Sequence, residues 1–262
     1  MSIMTIGDCV IDYYPELNQK FVGGSGLNTA VHLREKDLES DLIGVIGDDI
    51  KGRKILDYLK HKNFDLTNIK VRNGDTALAY IKKGDNDFKI ESVQEGIKKD
   101  YSLKKKDIKV VKNYDIVHTN IYSHTTHLLP YLKEKNDLVS FDYSFKVDYD
   151  KLKEIKEYID ILFISKNNIL KREFSQLKEF NINYVILSSG HKGFIVLHNG
   201  QEYFKEPVGN YIKDSTGAGD TLIAEILFGI HQKQELDSIL EKAARQAYQS
   251  CLGIGPFHSF FN

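Results

Sequence analysis

Short apolar segments recur along the chain, and stretches with helical periodicity separate most of them. The apolar segments are rich in β-branched residues and occupy residues 3–6, 42–46, 115–118, 138–141, 161–164 and 184–187. The helical stretches occupy residues 27–36, 51–62, 126–135 and 169–180. Strands that alternate with helices predict a mainly parallel sheet with helices on both faces. Strands that are buried on both faces have nearly continuous apolar sequences, and these segments have sequences of this kind.

The alternation breaks in two places. Residues 76–82 and 87–93 flank the polar turn "KGDN", which is typical of a hairpin, and residues 10–22 lack helical periodicity. These pieces predict a small β-sheet lid, built from about 10–24 and 74–96. Nearer the C-terminus, Asn199-Gly200 favours a type I′ turn and therefore an antiparallel edge on the main sheet. We predict one α/β domain over residues 1–262, with three α/β/α layers and this lid.

Composition narrows the classes of partner. The chain has 262 residues, a net charge of −1 and an isoelectric point of about 6.8, so no overall basic field would collect nucleic acid or anionic lipid. Cys9 and Cys251 have no metal-ligand spacing, and two plain thiols suit a reducing compartment. The N-terminal segment is not a signal peptide, and no stretch approaches the ~20 apolar residues of a membrane span. We expect a cytoplasmic protein with neither nucleic acid nor membrane as a partner.

The stretch "DSTGAGDTLIAEILFGIH" joins a glycine-rich turn to a helix. Apolar residues after Gly219 fall on one helical face, so the helix begins close to Gly217. Its first amides have no intrahelical partner and carry the positive end of the helix dipole. Glycines at these positions leave the amides uncovered, so the turn is predicted to bind an anion.

Asp220 lies in the first turn of this helix, beside the predicted anion site. Its carboxylate can accept a proton from a hydroxyl while the amides hold a phosphoryl group. The helix dipole predicts that Asp220 is ionised and a weak base, which phosphoryl transfer tolerates because its transition state is loose. The simpler alternative is that Asp220 only caps the helix.

The motif "DSTGAGD" resembles the D-T-x-G-A-G-D signature of the ribokinase-like (PfkB) sugar kinases, with Ser215 in place of Thr. The resemblance covers nearly the whole chain and implies the ribokinase-like fold. It also implies that Asp220 is the catalytic base and that Asp214 borders a monovalent-cation site for an ion such as K⁺. The anion hole would then consist of Gly217, Ala218 and Gly219.

Two further segments resemble the sugar-binding parts of this family. In "IGDCVID", Asp12 stands where the family has an Asp that binds sugar hydroxyls, although an acid in a turn is the plain alternative. The segment "VGGSGLNTA" resembles the first family signature, which implies that Gly23, Gly24 and Asn28 contact the substrate. Asn28 lies in the opening turn of a helix, where a capping role is the alternative.

The segment "ILSSGHKG" resembles the nucleotide loop of the family, which implies ATP binding by Ser188, Gly190 and Gly193. The family also holds Mg²⁺ through water by an N-x-x-E motif. Here that motif is degenerate, because Asn167 is followed three residues later by Leu170. Asn167 is therefore a candidate for only part of this role.

Within the family the chain is most similar to a short branch, the fructoselysine 6-kinases. Shared features include "EG" after the hairpin, "YDIVH" and "FD-S". The resemblance implies phosphorylation of O6 of fructoselysine or a related fructosamine, with Glu95 facing the cationic group of the amino acid. His124 and Asp142 follow predicted strand ends that face the cleft, where binding and plain structural roles are equally open. In this family the lid often forms a homodimer contact, which the polar and aromatic lid here allows.

Several other functions require sequence features that can be checked in this chain. A Walker-type nucleotidase needs G-x-x-x-x-G-K-[ST], and "GDDIKGRK" has Arg53 where Lys belongs. A dinucleotide oxidoreductase needs G-x-G-x-x-G after the first strand, and "GSGLNT" does not supply it. A non-catalytic sugar sensor would lack the base, whereas Asp220 is present. Kinases for fructose, ribose or 2-keto-3-deoxygluconate are the remaining alternatives.

Overall fold

The computed structural model describes residues 2–84, 87–100, 102–145, 147–166 and 171–257, and the statements that follow concern these residues. Nine strands form the main sheet: β1 Ser2–Ile6, β4 Glu39–Gly47, β5 Ile69–Arg72, β8 Ile116–Asn120, β9 Leu138–Ser144, β10 Ile161–Ser165, β11 Tyr184–Ser188, β12 Phe194–His198 and β13 Gln201–Lys205. Four strands form a second, small sheet: β2 Val10–Tyr14, β3 Gln19–Gly23, β6 Ala77–Lys83 and β7 Phe88–Gln94. Seven α-helices accompany them: α1 Ser25–Arg34, α2 Ile50–His61, α3 Leu129–Lys135, α4 Tyr149–Ile155, α5 Lys171–Glu179, α6 Ala218–His231 and α7 Leu236–Ser250.

The main sheet has the strand order β13-β12-β11-β10-β9-β8-β1-β4-β5. The strands from β11 to β5 in this order are parallel, and β12 and β13 add an antiparallel edge. Both features confirm the prediction from the apolar pattern. The β12–β13 turn has positive φ at Asn199 (50°) and Gly200 (74°), as a type I′ turn requires.

Two layers of helices cover this sheet. Helices α3, α4 and α5 pack on one face around Met4, Val117 and Phe141. Helices α6 and α7 pack on the other face, around Ile3 and Phe163. Neighbouring residues of β1 therefore face opposite layers, as expected for a strand buried on both sides.

The small sheet has the order β3-β2-β6-β7, in which β2 and β6 are parallel and the other pairs are antiparallel. It has a hydrophobic core of its own, which includes Tyr14, Phe21 and Phe88. Its strands fall within the segments 10–24 and 74–96 predicted from the sequence. At its base, Thr76 Oγ1 donates to Asp49 Oδ1 at 2.6 Å, and this bond ties β6 to the start of α2.

Strand β5 and helices α4 and α7 were not predicted from the apolar pattern. Strand β5 has only four residues, and α4 is two turns long, so neither offers a long periodic signal. In the part of the chain described, no helix has the length and apolar character that a bilayer crossing requires.

Candidate active site

The carboxyl ends of β1, β8 and β9 bring three polar side chains to one edge of the main sheet. Asn120 ends β8 and lies beside Asp142 of β9 in the parallel register. Asp8 follows β1, and its Oδ1 accepts hydrogen bonds from Asn120 Nδ2 and from the amide of Gly26, both at 3.1 Å. Asp8 and Asn120 are not among the site residues predicted from the sequence, although both follow the rule that sites form beyond the carboxyl ends of parallel strands.

The turn from 214 to 220 has the geometry of an anion site at a helix start. Gly217 caps α6 with φ at 83°, and a Cβ there would lie 2.9 Å from Pro256 Cβ. Among the described residues, no acceptor pairs with the amides of Gly217 and Gly219. A Cβ at Gly219 would meet nothing within 4 Å, so the turn is open at this point. Two free amides at an open helix start suit an oxyanion or phosphate.

Ala218 differs from its neighbours in this turn. Its amide donates to the carbonyl oxygen of Ser215 at 3.1 Å, so it is not free to bind an anion in this conformation. The predicted hole of three residues is thereby reduced to the amides of Gly217 and Gly219.

Asp220 is a partly buried residue in the first turn of α6, and Asn28 Nδ2 donates to its Oδ2 at 2.8 Å. Burial, together with the charges of the nearby Asp142 and Asp8 and against the lowering effect of the Asn28 bond, raises the pKa of Asp220 from 3.8 to about 7. This direction is opposite to the one expected from the helix dipole, because desolvation and like charges outweigh the dipole. A carboxylate with this pKa is an effective base at neutral pH.

Asp12 and Gly23 form a tight pair on neighbouring strands of the small sheet. A Cβ at Gly23 would lie 2.2 Å from Asp12 Oδ2, so only glycine leaves room for this carboxylate. Asp12 is only 5% exposed and has no hydrogen-bond or ion-pair partner among the described residues. Burial, and then the charges of Asp8, Asp220 and Asp214, raise its pKa well above the ordinary value. Because a buried carboxylate without partners is costly, Asp12 suits a ligand that donates hydrogen bonds to it.

Gly24 and Asn28 lie on the same side of the cleft. Gly24 caps α1 with φ at 104°, and a Cβ there would lie 2.5 Å from the carbonyl oxygen of Asp8. Asn28 is 3% exposed, and its Oδ1 is buried without a hydrogen-bond partner. The structure thus brings Asp12, Gly23, Asn28 and Asp220 together from three separate sequence segments.

Asp214 is buried, and its hydrogen bonds connect the turn from 214 to 220 with the small sheet and with the segment near residue 255. Its Oδ1 accepts from the amide of Thr216 at 2.9 Å, and its Oδ2 accepts from Tyr14 Oη at 2.7 Å and from the amide of Gly255 at 2.8 Å. Within the described residues, no group of three or more His, Cys, Asp or Glu residues could hold a metal ion. The contacts of Asp214 therefore indicate a structural part for it, and the cation role stays a prediction.

Glu95 and His124 come together across the mouth of the cleft. Glu95 Oε1 lies 3.7 Å from His124 Nε2, and both side chains are more than a third exposed. Glu95 follows strand β7 of the small sheet, and His124 follows strand β8 of the main sheet. Each residue is a separate candidate in the sequence, and their contact was not predicted.

The segment that resembles a nucleotide loop connects β11 to β12, at the same edge of the sheet. Ser188 ends β11, and its hydroxyl bonds that of Ser165 at 2.9 Å. Gly190 is exposed with φ at 56°, whereas Gly193 is buried, with φ at 85° and no room for a side chain beside the carbonyl oxygen of Lys205. Asn167, the candidate for water-mediated Mg²⁺ binding, lies outside the described residues.

A glycine-flanked anion site with an acid in its first turn, beside a cleft lined by polar strand ends, is the arrangement of a phosphotransferase. The family model for pfkB family carbohydrate kinases matches residues 2–259. The chain belongs to the pfkB family. It is therefore an enzyme, a carbohydrate kinase.

Among the relatives of this pfkB-family kinase is the fructoselysine 6-kinase of Escherichia coli K12. It is 30% identical over 231 residues, which cover 87% of this chain and 88% of that protein. The fructosamine kinase FrlD of Bacillus subtilis 168 is 29% identical over 266 residues, covering 98% of this chain and 93% of that protein. Among solved structures, an E. coli protein described as ribokinase II, in complex with ATP and Mg²⁺, superposes with a TM-score of 0.82. It is 16% identical and covers 99% of this chain and 96% of the other, which confirms the ribokinase-like fold.

Proposed function

We propose that this pfkB-family kinase transfers the γ-phosphoryl group of ATP to O6 of fructoselysine or a related fructosamine. The support is its similarity, over most of both chains, to two kinases named for fructoselysine and fructosamine. The single observation that carries the chemistry is Asp220, which lies in the first turn of α6 next to the free amides of Gly217 and Gly219.

In this proposal Asp220 accepts the proton of the attacking hydroxyl. Its pKa of about 7 lets it take that proton at neutral pH, and the bond from Asn28 holds its carboxylate in one orientation. The amides of Gly217 and Gly219 bind the oxygens of the phosphoryl group as charge develops on them. General-base catalysis of this kind contributes on the order of 10²–10⁴ in rate.

The sugar lies between the small sheet and α1, where it meets Asp12, Gly23, Gly24 and Asn28. Asp12 has no donor in the free protein, and two neighbouring sugar hydroxyls would provide the hydrogen bonds that it lacks. The unpartnered Oδ1 of Asn28 accepts from a further hydroxyl.

Fructoselysine carries a positive charge on its amino-acid part, and the cleft is suited to it electrostatically. The charge of Asp8 raises the pKa of Asp12, Asp142 and Asp220, and among the described residues none of these four carboxylates forms an ion pair. Glu95 adds a carboxylate at the mouth, where its weak contact with His124 can open to admit an ammonium group.

ATP and Mg²⁺ are the proposed co-substrate, in keeping with the ligands of the ribokinase II structure. The nucleotide lies across the strand ends towards Ser188, Gly190 and Gly193. Mg²⁺ usually keeps several waters and is held by phosphates with one or two carboxylates. This mode of binding does not require a group of three or more protein ligands, and the described residues form no such group. Asp214 is the proposed neighbour of a monovalent ion such as K⁺.

The small sheet is proposed to act as a lid that closes over the sugar and excludes water. Its edge strand β7 is exposed along most of its length, with Ile90 at 61% and Val93 at 43%. We propose that two copies of the chain pair through this sheet as a homodimer. Sedimentation should then show a dimer that charged substitutions at Ile90 and Val93 dissociate.

An ADP-release assay over fructosamines, ketoses, aldoses and nucleosides tests the acceptor. Fructoselysine should give the highest kcat/KM, and ³¹P and ¹³C NMR should place the phosphate on O6. A clear preference for free fructose or ribose would reject the fructosamine while leaving the kinase intact. Turnover by Asp220→Asn equal to that of the wild type would reject the proposed base.

A further inference from the structure

The small sheet contacts the anion-binding turn directly, through its own hairpin. Asp87 precedes β7 in this hairpin, and its two carboxylate oxygens both accept from Ser215. The Ser215 amide donates to Asp87 Oδ1 at 2.9 Å, and the Ser215 hydroxyl donates to Asp87 Oδ2. The two residues are 128 positions apart in the chain, so this contact arises only in the folded protein.

A second contact joins the small sheet to the residue before Ser215. Tyr14, at the end of β2, donates its hydroxyl to Asp214 Oδ2 at 2.7 Å. Burial and the neighbouring Asp214 raise the pKa of Tyr14, so it stays protonated and remains a donor. The first two residues of the turn are thus each held by one side chain of the small sheet.

These contacts bear on the phosphoryl site because the free amides follow within four residues. Ser215 also accepts the amide of Ala218 through its carbonyl oxygen, which sets where the helix begins. Asp12 and Tyr14 are two positions apart on β2, so their side chains project from the same face. Asp12 faces the proposed sugar position, and Tyr14 bonds Asp214 in the turn.

We propose that Asp87 and Tyr14 are positioning residues. When the small sheet packs over the sugar, their bonds to the turn align the amides of Gly217 and Gly219 with Asp220. This inference rests on the proposed role of the turn. Neither residue need touch the sugar or the nucleotide, because each acts through the backbone of Asp214 and Ser215.

Substitutions at Asp87 test the proposal in the full-length enzyme, with the best acceptor from the substrate screen. Asp87→Ala removes both bonds to Ser215 and should lower kcat about tenfold, while the KM for the sugar stays within about twofold. Asp87→Asn keeps one acceptor oxygen for the Ser215 amide and should restore part of kcat. A matched control is Glu91→Gln on β7, because Lys82 is the one bonding partner of Glu91 within the described ranges, and kcat of this variant should equal that of the wild type.

Two further variants keep the test decisive if Asp87→Ala folds poorly. Tyr14→Phe removes only the hydroxyl that bonds Asp214, and Ser215→Ala removes only one of the two bonds to Asp87. Both should lower kcat more than they raise the sugar KM. A double-mutant cycle between Asp87→Asn and Ser215→Ala should be non-additive, because the two changes break the same contact.

All rates are compared at least 20 degrees below each variant's melting temperature. A purely structural role would lower that temperature and leave kcat of the folded enzyme unchanged. Wild-type kcat in well-folded Asp87→Ala and Tyr14→Phe, together with an inactive Asp220→Asn, would overturn this proposal and leave the proposed function standing. An active Asp220→Asn would count against the function itself.

Discussion

Replacing Asp220 by Asn should make the protein more stable and much less active. The gain in the free energy of unfolding should increase as the pH rises. Burial raises the pKa of this carboxyl from 3.8 to about 7. Between these values the folded protein binds more protons than the unfolded chain, so its stability falls as pH rises through this window. Asn is neutral throughout and removes that loss.

The size of the effect follows from the shift. About 3 pKa units correspond to about 4 kcal/mol at most, because one unit is about 1.4 kcal/mol. Asp220 as a whole residue is only partly buried, so solvent screens part of this effect, and we expect a measured gain of about 1–2 kcal/mol at pH 7.5 and almost none at pH 4. For a chain of this size that gain raises the melting temperature by roughly 2–8 °C.

Thermal unfolding of Asp220→Asn and wild type at pH 4, 5.5 and 7.5 measures this difference. Glu241→Gln makes the same chemical change at an exposed carboxylate and should show no gain that grows with pH. A stability difference that does not change with pH across this range would refute the reasoning that burial raises the pKa of Asp220. A Michaelis–Menten assay of the same samples should show kcat lowered by about 10²–10⁴ with sugar affinity retained.

Three other outcomes follow from the site. The kcat/KM for the sugar should fall about tenfold per pH unit below pH 7 and level off above it, because Asp220 must be deprotonated to act as the base. A pH–rate profile that is flat down to pH 5 would contradict the assignment of Asp220 as the base. Gly219→Ala adds a methyl group in open space, so the melting temperature should hold while kcat falls, as calorimetry and steady-state kinetics can establish. Gly23→Ala places a carbon 2.2 Å from Asp12 Oδ2, so the sugar KM should rise at least tenfold, whereas an unchanged KM would exclude Asp12 from sugar binding.

Much of the fold could be read from the apolar pattern, and the reason is physical. Parallel strands such as β10 and β11 are buried over most of their length, so their sequences are apolar up to the final serine. The β12–β13 turn depends on local backbone preference at Asn199 and Gly200, which the dipeptide itself specifies. Strand β5 pairs with β4 over four residues, and nothing within so short a segment reveals that partner.

The site was predictable where the chemistry is local and not where it arises from distant segments. Free amides at Gly217 and Gly219 follow from a glycine-rich helix start. The raised pKa of Asp220 depends on Asp8 and Asp142, which the sheet brings near it, so the helix dipole alone predicted the wrong direction. The engagement of the Ala218 amide with Ser215 likewise depends on the three-dimensional path of the turn.

The end of the described chain is built into the phosphoryl site. The amide of Gly255 donates to Asp214, Pro256 packs against Gly217, and a side chain at residue 255 would collide with Phe21. A chain that stops before residue 254 would therefore lack one wall of the turn, even with every proposed site residue present. During synthesis, the proposed phosphoryl site could form only after residue 256 has left the ribosome, so shorter nascent chains should not transfer phosphate.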